Sequence, residues 1–305
     1  MLAMKLAMKF TFLLLMVSPV CSNLQDMTWI MDMDKISFYP TYDNPESKFV
    51  YKVLQKGPVG DFDFLAFNAY STVEHMGTHM DAPYHFYERG LTMDEVPLID
   101  LIGPLVKINI TAKAATSPDA LVTLEDVMAW EEKYGAVPDK AFVLMHSGWD
   151  QYYGNNTKYL GTREDGTNHS PGFSGEAVEW LVKNRDIAGI GVDTISCDLL
   201  IAQVPSFPAH KAVLTKNKLC IENLKDIGKV PDCGARFMML PIMMKGGTGT
   251  QGRAFAEWYE GVGYQTHCNS DLHYLNSYFN TGKAHSVVPS VLLVFAVSFI
   301  SSLLM

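Results

Sequence analysis

Apolar and polar positions along this chain repeat with two different periods, and the changes of period mark its elements. Phe62 to Val73 reads as an apolar, strand-like run, and Leu105 to Ile110 alternates apolar and polar residues as a half-buried strand does. Thr123-Leu-Glu-Asp126 opens a helix in which Leu124, Val127 and Met128 recur at helical spacing, with Gly135 as its stop. Ala141 to Met145 is a short buried-strand run. Ser174 then starts a second helix, where Ala177, Val178, Leu181 and Val182 form an apolar stripe. Ile187 to Val192 is the next strand. Further on, Pro208 leads into a short helical stretch from His210 to Leu214, Leu219 to Ile221 runs apolar into Glu222, and Ala254 to Tyr259 reads as a short helical piece. This alternation predicts an α/β fold with a partly parallel central sheet.

The run His75-Met-Gly-Thr-His79-Met-Asp81-Ala-Pro-Tyr-His85 concentrates three histidines and a carboxylate. Imidazole nitrogen and carboxylate oxygen suit a divalent ion such as zinc or manganese. The four side chains share odd numbering, so a straight strand would place them on one face. It would also hold His75 and His79 about 13 Å apart, too far to share one ion. The chain must therefore bend between them, and Gly77 is the residue that permits a bend. A zincin helix is the competing way to unite two histidines four apart, but Met76 stands where its glutamate would be, and Gly77 and Pro83 disfavour a helix. The plainer alternative is a few solvated histidines at a strand end.

On these residues the chain resembles the cyclase-like metal-dependent hydrolases that include bacterial-type kynurenine formamidase and isatin hydrolase. Their pattern His-x-Gly-Thr-His-x-Asp-x-Pro-x-His is present as His75, Gly77, Thr78, His79, Asp81, Pro83 and His85. Downstream, Ser170-Pro171-Gly172-Phe173-Ser174 and Gly191-Val-Asp193-Thr-Ile-Ser196 are similar to further family segments. So are His210 followed by Glu222-Asn223-Leu224, and the loop from Pro241 through Gly246-Gly247-Thr-Gly249 to Arg253-Ala254.

The resemblance implies a single swivelling β/β/α catalytic domain assembled as a homodimer or higher homo-oligomer. It further implies that His75, His79 and Asp81 hold one ion, while His210 and Glu222 complete a second beside it, with carboxylates shared. Two dications and two carboxylates would leave about two net positive charges, enough to ionise a bound water near neutral pH. His85, next to the ligands and not needed to complete them, is the expected proton donor to a leaving nitrogen and the general acid/base. Its alternative role is a hydrogen bond that orients a ligand.

The expected cofactor is thus a divalent metal, two zinc ions with manganese as the alternative, and the expected substrate a small aromatic amide. Arylformamide hydrolysis, N-formylkynurenine to kynurenine and formate, is the favoured reaction, and opening of a cyclic amide such as isatin is second. A non-enzymatic extracellular metal- or ligand-binding protein is the rival class. Phe62, Phe64, Trp149 and Phe207 lie near the motif segments and are candidates for an apolar slot around a planar ring.

The chain ends suggest a route. Lys5 and Lys9, the apolar stretch Phe10 to Val17 and the small residues Ser18 to Ser22 read as a secretory signal, residues 1–22. The catalytic domain is expected over 23–262 and a polar tail over 263–282. Residues 283–305 form a spacer and an apolar end, laid out as a glycolipid-anchor signal or, alternatively, a membrane span. These ends imply a secreted or cell-surface protein in an oxidising compartment. Asn109, Asn155 and Asn168 begin glycosylation triplets consistent with that route. Cys197, Cys220, Cys233 and Cys268 allow three full disulfide pairings, or Cys197 and Cys220 are buried thiols.

A net charge of -9 over 305 residues, with no basic stripe, excludes a typical nucleic-acid binder. No Gly-x-Ser-x-Gly elbow occurs, so a serine-hydrolase mechanism is unsupported. Gly247-Thr-Gly249-Thr-Gln-Gly252 mimics a dinucleotide fingerprint, but no second strand with an acidic ribose ligand follows.

Overall fold

The fold is described from a computed structural model, over residues 21–35, 48–200 and 206–260. Most of the expected signal, the polar tail and the apolar C-terminal segment lie outside the described residues. The described residues all fall in one compact unit. None of their helices is long and apolar enough to cross a membrane.

The strands, in chain order, are β1 (Cys21–Asp26), β2 (Val50–Val59), β3 (Phe62–Ser71), β4 (His79–Asp81), β5 (Ile102–Asn109), β6 (Leu121–Val122), β7 (Phe142–His146), β8 (Gly172–Phe173), β9 (Gly189–Val192), β10 (Leu219–Glu222), β11 (Ala235–Pro241) and β12 (Gly249–Glu260). The main sheet has the order β1-β12-β11-β5-β7-β9-β10-β4, and β4 pairs back onto β12, so all but β1 form a closed ring. Neighbours β5, β7, β9 and β10 run parallel, while the remaining pairs are antiparallel. This is the partly parallel α/β architecture expected from the alternation of periods.

The helices begin where their caps dictate. In α1 (Leu124–Tyr134) Thr123 and Asp126 form a reciprocal capping box, and Gly135, at φ 92°, ends it. In α2 (Gly175–Asn184) the Ser174 hydroxyl accepts from the Ala177 amide. Pro208 sits in the first turn of α3 (Pro208–Leu214), where its missing N–H costs no hydrogen bond. Each helix lays its apolar stripe on one face of the ring. Val127, Ala177, Val178, Leu181, Ala209 and Val213 pack with Val106, Val143, Met145 and Ile190 of the strands. The alternate side chains, including Met80, Leu105, Phe142, Leu144, Ile221, Phe237 and Ala256, fill the inside.

One expectation is corrected, and one open alternative is decided. Residues 254–259 are strand, not helix. Ala254 and Ala256 are fully buried while Arg253 is exposed, a period of two that the helix-favouring alanines obscured. Cys197 and Cys220 are not free thiols but are bridged to each other, and Cys233 is bridged as well.

Candidate metal centre

β4 and β10 are antiparallel neighbours with His79 opposite Glu222 and Asp81 opposite Cys220. Alternation along each strand sends these four side chains to the same, helix-covered face, while Met80 and Ile221 point into the ring. A two-strand register thus gathers residues some 140 positions apart in sequence. The helix α3 lies over this face and lowers His210 onto it.

The resulting distances are those of a ligand shell. Nε2 of His79 lies 3.3 Å from Oδ1 of Asp81 and 3.4 Å from Oε2 of Glu222. Nε2 of His210 lies 3.2 Å from Oδ2 of Asp81 and 3.0 Å from Oε1 of Glu222. Ligands about 2.0–2.2 Å from one tetrahedral ion stand roughly 3.4 Å apart. His75, His79 and Asp81 form one potential ligand group, and Asp81, His210, Cys220 and Glu222 a second, with Asp81 common to both. Nε2 of His79 and Oδ2 of Asp81 are buried and make no hydrogen bond among the described residues. Polar atoms left without a hydrogen bond at this depth fit a bound cation.

The electrostatics agree. Burial opposes charge on His210, but Asp198, Asp81 and Glu222 outweigh it and hold its proton affinity well above the ordinary histidine value. At His79 burial is likewise overcome, by Asp81 and Glu222. At Asp81 burial is outweighed by His75, His210 and His79, which keep its carboxyl well below the usual range. The pocket attracts positive charge, and a divalent ion answers that demand better than protons on its ligands.

His75 stands off the strand, as the spacing required. Gly77 makes the bend at φ 65°, and β4 starts only at His79. Nδ1 of His75 then meets Oδ1 of Asp81 at 2.7 Å, and its Nε2 meets the Thr248 hydroxyl at 2.9 Å. A Cβ on Gly249 would come within 2.7 Å of Cε1 of His75, so β12 can pass here only as glycine. The glycine-rich loop is therefore part of the site's wall and not a nucleotide cradle.

His85 ends a single turn (Pro83–His85) that follows β4 directly. Its ring stacks on that of His75, with centroids 4.0 Å apart, and lies 6.4 Å from the His210 ring. Burial, opposed by Asp81 and reinforced by His75 and His210, pushes it down to about 4. All six residues expected at the site are therefore brought together.

Several residues at the site were not anticipated. Asp198 Oδ2 lies 2.6 Å from Nδ1 of His210, and both its oxygens accept α3 amides, from Ala209 and His210. Thr248, Glu74 and Gln251 brace the His75 loop. Asp198 follows the strand-end motif by two residues and is a helix-capping type, the one signal that could have found it. Of the four aromatics proposed for a slot, only Phe207 adjoins the centre, its ring 5.8 Å from His210 and 5.4 Å from Phe86. Trp149 is packed in a separate cluster with Tyr159, Ile195 and Leu200, and Phe62 and Phe64 lie exposed on the β2–β3 hairpin.

Comparison with known proteins identifies the family. Residues 15–199 match the family model described as "Putative cyclase". Isatin hydrolase of Roseibium aggregatum is 34% identical over 203 residues, 64% of this chain and 76% of its own length. Kynurenine formamidase of Paracidovorax citrulli is 25% identical over 176 residues, 56% of this chain and 69% of its own. The solved structure of isatin hydrolase A from Labrenzia aggregata, bound to benzyl benzoate, superposes with a TM-score of 0.70 at 30% identity. It covers 78% of this chain and 94% of that one. The chain belongs to the cyclase family of hydrolases.

Proposed function

We propose that this protein is a metal-dependent amidohydrolase that cleaves the C–N bond of a small aromatic amide, a cyclic amide of the isatin type first and an arylformamide such as N-formylkynurenine second. The observation that carries the reading is the pair of carboxylates, Asp81 and Glu222, each at ligand spacing from two buried imidazoles, His79 and His210. The order of substrates expected from sequence is reversed, because the likeness to isatin hydrolase is higher than that to kynurenine formamidase.

His75, His79, Asp81, His210 and Glu222 would hold two ions, zinc or manganese. A divalent ion in such a site lowers the pKa of water towards neutrality and polarises a carbonyl oxygen. The chain's own residues do the rest. Neutral at rest, His85 accepts a proton first and donates it second, taking it from the attacking water and handing it to the departing nitrogen. As the C–O bond forms and the C–N bond breaks, that transfer leaves a carboxylic acid and an amine. Asp198 holds the His210 ring in place. Phe86 and Phe207 offer an apolar edge to an aromatic substrate. Beside them a cavity of about 210 Å³ is lined by Phe173, Leu200, Phe207 and Pro208, with Ser196 and Asp198.

The expected compartment is part of the same reading. The Cys197–Cys220 bridge and the exposed Asn109 and Asn155 support passage through an oxidising, secretory route to the cell surface or beyond. The test is direct: purified protein, stripped with chelator and reloaded with zinc or manganese, is assayed on isatin and on N-formylkynurenine. Failure of the loaded protein to hydrolyse either would end the proposal and favour a binding role.

A further inference from the structure

The bridge between Cys197 and Cys220 lies against the metal centre, and the proposed hydrolytic chemistry makes no use of it. Cys220 precedes Glu222 by two residues on β10, so both side chains leave the strand on one face. Its Sγ stands 3.9 Å from Nε2 of His210 and 3.8 Å from Oε1 of Glu222. Ligand atoms of Asp81, His210, Cys220 and Glu222 all lie within 4.8 Å of one another, and all four residues are buried. A tetrahedral zinc site with N at 2.0–2.1 Å and S at 2.3 Å separates the two by about 3.6 Å. The sulfur is thus within a few tenths of an ångström of a ligand's place. Bridged, it is a poor donor; as a thiolate it would be a strong one.

We propose that Cys220 is a latent fourth ligand, withheld from the metal by its bridge to Cys197. This rests on the metal-centre reading above. With the bridge closed, Asp81, His210 and Glu222 leave a position open for water and substrate. With the bridge open, Cys220 joins them and completes a shell of four protein ligands, the arrangement of a structural rather than a catalytic site.

The redox step balances with a dithiol as reductant. One of its thiolates attacks a bridge sulfur, the S–S bond breaks and a mixed disulfide forms. Its second thiol then displaces the protein sulfur. The reductant ends as a disulfide and the protein as two thiols, two electrons and two protons having been transferred. On coordination Cys220 gives its proton to solvent. Both sulfurs are fully buried, so the oxidation state is set as the chain folds. Folding in an oxidising compartment would yield the open, catalytic form.

Cobalt(II) alone is the probe, used on the full chain. Cys197→Ser frees Cys220 while keeping the backbone N–H that donates to Glu222 Oε1 at 2.8 Å. It should bind cobalt with a near-ultraviolet sulfur-to-cobalt charge-transfer band. Its affinity should exceed that of Cys197→Ser/Cys220→Ser about tenfold or more. Oxidised wild type should bind cobalt without the band. Cobalt bound by Cys197→Ser with no such band, at the affinity of the double variant, overturns the proposal and leaves the metal centre standing. Failure of all three proteins to bind cobalt removes the centre itself, and the proposal with it. Should Cys197→Ser not fold, wild type refolded with cobalt under excess dithiol gives the same reading: the band supports the proposal and its absence overturns it.

Discussion

Asp198 Oδ2 sits 2.6 Å from Nδ1 of His210, which leaves Nε2 of that ring facing Asp81 and Glu222. A carboxylate behind a ligating histidine fixes its orientation and raises its basicity, and losing such a partner weakens metal binding about 10–100-fold. Asp198→Asn should therefore lower zinc affinity within that range while leaving the fold intact, measured by competition with a chromogenic chelator. An unchanged affinity would mean that Asp198 serves only to cap α3.

His85→Ala should cut turnover by about two to four orders of magnitude with little change in metal content. The pH profile carries the sign. Because burial holds this imidazole down to about 4, it stays neutral and able to accept a proton across the neutral range. The acid limb that it causes should fall well below the ordinary histidine value of about 6.5. An acid limb centred near 6.5 in wild type, and retained in His85→Ala, would assign proton transfer elsewhere.

Glu222 bridges His79 and His210, at 3.4 and 3.0 Å. If two ions are held, Glu222→Gln should reduce the metal content from about two ions per chain to about one by elemental analysis. A content that stays at two after substitution would show that the Glu222 carboxylate is not needed to hold the second ion.

Stripping the metal should also destabilise the fold, since it strands buried Asp81 Oδ2 and His79 Nε2 without a partner. Thermal unfolding with and without chelator should show a fall in Tm, at about 2–4 °C per kcal/mol of stabilisation lost for a domain of this size. Identical melting curves would show that the cluster needs no ion.

The hairpin β2–β3 exposes Phe62, Phe64, Phe67 and Tyr70, with Phe62 70% accessible. A two-stranded hairpin is marginal in water on its own, and an apolar surface of this kind marks a protein contact. The homo-oligomer expected from the resemblance would use this face, with a second copy as its occupant. Light scattering should give a dimer or larger for wild type and a monomer for Phe62→Ser/Phe64→Ser. A monomeric wild type would rule it out.

Much of this centre was legible in the residues. The His75 to His85 run carries ligand chemistry, and Gly77 marks the bend because only a turn can bring His75 back to Asp81. Capping residues located α1 and α2 for equally local reasons. Other features left little or no local trace. The strand Gly249–Glu260 was misread because its alanines favour helix, while its pairing with β1, β4 and β11 is what decides. Asp198 and Cys220 gain their roles only from what lies beside them.

What the sequence determined by itself was therefore composition and local geometry: which donors are present, where helices start, and where the chain must turn. The tertiary structure decided adjacency. Placing Glu222 opposite His79 and Cys220 opposite Asp81 depends on β10 pairing with β4 in one register, and a slip of one residue would turn each side chain to the other face. Such a register is set by the burial of Met80 and Ile221 inside the ring, a condition spread over many strands that no short window of residues contains.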